Sequence, residues 1–69
     1  MMYDLVKVDN DVICILAYTI GAMTKENYSE EEIDKYIEQI REVKEDYDKV
    51  VDISNIMIGK CNERALPVM

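Results

Sequence analysis

The sequence predicts a small all-α domain, and three observations predict it. An apolar pattern of period seven runs from Ile33 onward, a helix-capping signal stands just before it, and Gly21, Gly59 and Pro67 are the only glycines and proline in the chain. With 69 residues the chain makes one domain, 1–69. A domain of this size buries only roughly 60 % of its unfolded surface, so its core is thin. Small scaffolds offset that deficit with disulfides, a metal, regular helix packing or self-association.

The N-terminal third reads in two ways. Asp11 can cap an apolar helix from Val12 to Met23, with Ala17 and Gly21 four apart so that a neighbouring helix approaches closely. The alternative is a β-hairpin over residues 5–16. Its strands are Leu5-Val6-Lys7-Val8 and Val12-Ile13-Cys14-Ile15-Leu16, with Asp9-Asn10-Asp11 as the polar turn. Two isolated strands have little stability, which favours the helix.

After the loop Lys25-Glu26-Asn27-Tyr28, the residues Ser29-Glu30-Glu31-Glu32 fit a capping box. The Ser29 hydroxyl accepts from the Glu32 backbone N–H, and the Glu32 carboxylate reaches back. Three acids in the first turn complement the positive end of the helix dipole.

From there the seven-residue period holds without a slip. Ile33, Ile40, Tyr47, Ser54 and Cys61 share one heptad position; Tyr36, Val43, Val50 and Met57 share a second; Ile37, Lys44, Val51 and Ile58 share a third. The intervening positions from Glu32 to Asp52 are polar, so the segment is amphipathic. Unbroken phase favours one helix from Glu30 to about Asn62, roughly 50 Å long at 1.5 Å per residue. Such a rod cannot bury its seam within one chain and has to dimerise. The competing reading bends the chain near Asp46-Tyr47-Asp48, with an aspartate capping a new helix in a compact three-helix monomer. Ile53 and Ile56 lie outside the seam and call for a second buried face. Either way the helix ends between Gly59 and Leu66, ahead of Pro67. The tail Ala65-Leu66-Pro67-Val68-Met69 reads as disordered or as lying across a partner subunit.

The chemistry-bearing residues are few. Histidine is absent, which excludes imidazole-based zinc and di-iron sites, and two cysteines 47 positions apart are not a zinc motif. Cys14, flanked by Ile13 and Ile15, and Cys61 read as buried, reduced thiols of a cytoplasmic protein, since nothing at the start resembles a secretory signal. The apolar run Val12 to Met23 is short of the roughly 20 residues that cross a bilayer.

The formal charge is −7, and it is concentrated: Lys25 to Lys49 carries ten acids against five bases. That surface repels nucleic acid and anionic membranes, because phosphate binding needs clustered cations. Glu30-Glu31-x-x-Asp34 followed by Glu45-x-x-Asp48 resembles the paired acidic motifs of the all-helical nucleotide pyrophosphohydrolases of the MazG type, which bind magnesium. The resemblance covers five acids. In that family the motifs converge from neighbouring helices, whereas on one helix here they would lie about 20 Å apart. Spacings such as Glu31 to Lys35 and Glu45 to Lys49 suit helix ion pairs on a solvated face, and that reading is preferred.

The functional expectation is a non-enzymatic interaction or regulatory protein with no cofactor and no metal. It homodimerises through Ile33, Tyr36, Ile37, Ile40, Val43, Tyr47, Val50, Val51, Ile53, Met57 and Ile58, or offers that surface to a protein partner, and turns an acidic face outward. Tyr36 and Tyr47 would pack their rings on the seam, with Ser54 and Lys44 as polar intrusions that set register. One alternative is a DNA-mimicking inhibitor of a nucleic-acid-binding protein, and another is a small metal-dependent hydrolase using the acids.

Overall fold

The computed structural model describes residues 3–65; the tail beyond Ala65 lies outside them. A 3-10 turn, Leu5–Lys7, precedes three helices: α1 (Val12–Lys25), α2 (Glu30–Val43) and α3 (Tyr47–Ala65). There is no strand among the described residues, so the hairpin alternative over residues 5–16 does not form. Side-chain caps govern that stretch instead. Asp4 accepts from the Val6 N–H at 2.9 Å and opens the 3-10 turn, and Asp11 accepts from the Ile13 N–H at 2.8 Å and starts α1.

Helix α1 ends in a Schellman motif. The Tyr28 N–H donates to the Met23 carbonyl at 3.0 Å and the Asn27 N–H to the Thr24 carbonyl at 3.1 Å, with Asn27 in the left-handed region at φ 64°. Asparagine tolerates that conformation better than most residues, and here it does what glycine does at other helix ends. Helix α2 starts on Ser29, whose hydroxyl accepts from the Glu32 N–H at 3.2 Å. The other half of the expected capping box is replaced: the Glu32 carboxylate lies 4.0 Å from Arg64 of α3.

The expected single helix from Glu30 to Asn62 is two helices. Lys44-Glu45-Asp46 forms a tight turn in which the Asp46 N–H donates to the Val43 carbonyl at 2.8 Å. The Asp46 carboxylate then accepts from the Lys49 N–H at 3.3 Å and caps α3. No glycine or proline marks the break, and the heptad phase runs straight through it. Folding back lets the apolar stripe of α2 meet that of α3 inside one chain, and the burial gained outweighs a few turn hydrogen bonds.

The core is drawn from all three helices: Ile15, Ala22 and Met23 of α1, Tyr36 and Ile40 of α2, and Val50, Ile58 and Cys61 of α3. Helix α1 packs more extensively on α3 than on α2. The Cα radius of gyration, 11.6 Å, is close to the roughly 11 Å expected of a compact chain of this length. Two local expectations are corrected. Ala17 and Gly21 face solvent, and a Cβ built on Gly21 would meet nothing within 4 Å, so no helix packs on that pair. Ile56 is 64 % exposed on the outer side of α3, while Ile53 is half-buried against the core.

Candidate functional site

The residues expected on an intermolecular seam lie largely between the helices of one chain. Tyr36, Ile40, Val50 and Ile58 are fully buried. Ile33, Ile37, Val43, Val51, Ile53 and Met57 are partly buried and packed on that core. Tyr47 is the exception, 38 % exposed at the first turn of α3, where its hydroxyl donates to Asn10 Oδ1 at 3.1 Å. Lys44 is exposed in the turn rather than embedded in the seam.

The polar intrusions in the core form a small network. The Tyr36 phenol and the Ser54 hydroxyl lie 2.6 Å apart, both buried, and the Thr19 hydroxyl of α1 is buried in the same core. Thr19 in addition donates to the Ile15 carbonyl at 2.8 Å. Burial raises the Tyr36 phenol above its ordinary range, against the opposing pull of the Ser54 and Thr19 hydroxyls. Among the described residues no buried side-chain polar atom is left without a partner. Cys61 is fully buried and its thiol is pushed up by desolvation, which disfavours the reactive thiolate; Cys14 is half-buried, and the two are unpaired.

A second polar cluster ties the N-terminal segment to the helix ends. Asn62 accepts from the Tyr3 N–H at 2.6 Å and donates to the Tyr3 carbonyl at 3.0 Å, and the Tyr3 phenol donates to Glu26 Oε2 at 2.6 Å. That bond pushes the Tyr3 phenol up to about 12, since ionising it would set an anion against a carboxylate. The Tyr3 and Tyr18 rings meet edge to face at 6.4 Å, and the Tyr18 hydroxyl accepts from the Asp4 N–H. Arg64 lies 3.7 Å above the Tyr28 ring and donates to the Glu26 carbonyl at 3.0 Å. The asparagine–backbone pairing spans 59 residues and leaves no local signal.

Outside the core, the clearest organised feature is a row of carboxylates. Glu31, Asp34, Glu38 and Glu42 are exposed and recur at intervals of three and four, which sets them in one stripe along α2. Two cations flank it: Arg41, 3.2 Å from Glu38, and Lys35, four residues after Glu31 and three before Glu38. The five acids of the two paired motifs do not converge: Glu30, Glu31 and Asp34 stand at the start of α2, whereas Glu45 lies in the turn beyond its far end and Asp48 in the first turn of α3. Among the described residues no group of three or more His, Cys, Asp or Glu side chains is placed to hold a metal ion. Nor is any helix among them long and apolar enough to cross a membrane. No protein-family model matches the chain, and neither a curated protein nor a solved structure matches it.

Proposed function

We propose that this protein is a non-enzymatic interaction module that engages the basic face of a protein partner through the solvent side of α2. The observation that carries the reading is the stripe Glu31, Asp34, Glu38 and Glu42, fixed on a helix whose opposite face is anchored by Tyr36 and Ile40. A rigid row of like charges steers association with a surface of opposite sign and fixes orientation more than it adds raw affinity. Binding of this kind is fast and salt-sensitive.

The test compares the wild type with a variant neutralised at all four positions, Glu31→Gln, Asp34→Asn, Glu38→Gln and Glu42→Gln. Both are used for affinity capture from the source cell at low and at moderate salt, with circular dichroism confirming the fold. A partner held by the wild type, released by moderate salt and absent from the variant supports the reading. Partners recovered equally by both chains overturn it.

The DNA-mimic reading draws on the same stripe. Its particular demand is that a short DNA duplex compete for the captured partner. The Arg41–Glu38 pair weighs against it, because it neutralises one member of the row.

A further inference from the structure

We infer that the α2–α3 turn is a hinge, and that a second copy of this chain is an alternative partner for the seam, reached by opening the hinge and exchanging α3 between two chains. This inference is independent of the acidic-face reading. Two observations carry it.

The first is phase. In a hairpin that will never be straight, nothing requires the buried positions of its two helices to share one continuous register. Here they do. At 3.6 residues per turn, Ile33, Tyr36, Ile40 and Val43 of α2 and Val50, Ser54, Ile58 and Cys61 of α3 fall on a single stripe covering less than about half the circumference of one uninterrupted helix. The three intervening residues, Lys44, Glu45 and Asp46, contain no glycine or proline, and Lys44 already has right-handed helical angles, φ −57° and ψ −23°. Straightening the turn therefore requires changes at very few residues, and a short hinge of this kind is a recognised route to exchange.

The second is what the closed chain leaves uncovered. Tyr36 and Ser54, which meet at 2.6 Å, are each nine residues from Glu45, so the hairpin is symmetric about that residue. Two open chains laid antiparallel would place their two-fold axis at Glu45 and restore the same contact between subunits. The new interface at the axis would then hold the residues equally close to it on either side. Val43 would meet Tyr47 of the partner subunit, and Tyr47 would meet Val43 of the partner subunit. Tyr47 is 38 % exposed in the closed form, and Val43 beside the turn is half-buried. The exchanged dimer thus reuses the monomer's core contacts and adds a symmetric pair of Val43–Tyr47 contacts at the axis, which is the isologous arrangement a two-fold dimer requires.

The test refolds the full chain at millimolar concentration under reducing conditions and separates monomer from dimer. Exchange is distinguished from simple association by a distance within one chain. Spin labels at Glu31 and Glu63, on a Cys14→Ser, Cys61→Ala background and diluted with unlabelled chain, sit at helix ends that adjoin in the closed form, where Glu32 and Arg64 are 4.0 Å apart. In an opened chain those ends lie about 48 Å apart at 1.5 Å per residue. The expected result is a dimer with the long distance. Its fraction rises at least about threefold in Asp46→Ala, which removes the cap that starts α3, and it disappears when two glycines are inserted after Lys44 to relax the turn and break the phase. A dimer that keeps the short distance overturns the inference, and so does a wild-type chain that stays monomeric at millimolar concentration after refolding.

Discussion

The phenol of Tyr36 on α2 and the hydroxyl of Ser54 on α3 meet 2.6 Å apart, both of them buried. Helices α2 and α3 are thereby held in one register by a polar contact that tolerates little sliding. Removing either hydroxyl of the pair leaves the other buried without that partner, which costs more than the bond itself contributes. Tyr36→Phe and Ser54→Ala should each destabilise by about 1–3 kcal/mol. The double variant should cost less than the sum by about 1 kcal/mol, because the second substitution removes a group the first had orphaned. Urea unfolding of the four chains measures this, and strict additivity would show that the contact is incidental.

Asn27 closes α1 with φ 64°, a conformation that penalises a β-carbon unless the side chain compensates. Asn27→Ala should lower stability by about 1 kcal/mol, and Asn27→Gly should be neutral or stabilising by a few tenths. Thermal melts of the three chains order them. Alanine equal to asparagine would mean that the turn adopts another geometry in solution.

The Tyr3–Glu26 bond gives the fold an alkaline limit. In the unfolded chain Tyr3 ionises near 10.0, and in the folded chain near 12. Below pH 10 both states carry the neutral phenol and the contribution is whole. Between pH 10 and 12 only the unfolded chain loses the proton, so stability falls, and the loss levels off above the folded value. Tyr28, Tyr36 and Cys61, all raised chiefly by desolvation, act in the same direction. Tyr3→Phe should therefore melt lower than the wild type at neutral pH and lose less on going to pH 11. Parallel curves would separate Tyr3 from the alkaline loss.

Much of this architecture was legible in the sequence, and what was not has a physical cause. The all-helical class followed from periodicity, and the start of α2 followed from Ser29, whose cap is local chemistry. The break between α2 and α3 was harder to read, because phase, propensity and composition all continue across Lys44-Glu45-Asp46. What decides it is tertiary: the stripe of α2 finds its complement on α3. Asp46 was visible as a capping residue, yet a cap signal is worth about 1 kcal/mol and an unbroken seam promises more. Ile56 shows the opposite error, since counting it as a residue needing cover overlooked that single exposed apolar side chains are ordinary on folded surfaces. The clasp of Tyr3 with Asn62 and Glu26 joins distant positions and could not be read locally. The carboxylate stripe was legible as charge, but its placement on one exposed face depended on knowing which side of α2 the core occupies.

The claim on which the rest depends is that α2 and α3 close their common seam within a single chain. Small-angle scattering on an absolute scale, from dilute and freshly folded protein, tests it most directly. The expected result is the mass of one chain, 8.1 kDa, with a radius of gyration near the 11.6 Å of the Cα trace plus a small increment for side chains and hydration. A mass of two chains that persists to the lowest concentration, with a cross-section and length fitting a pair of helices roughly 50 Å long, would contradict it.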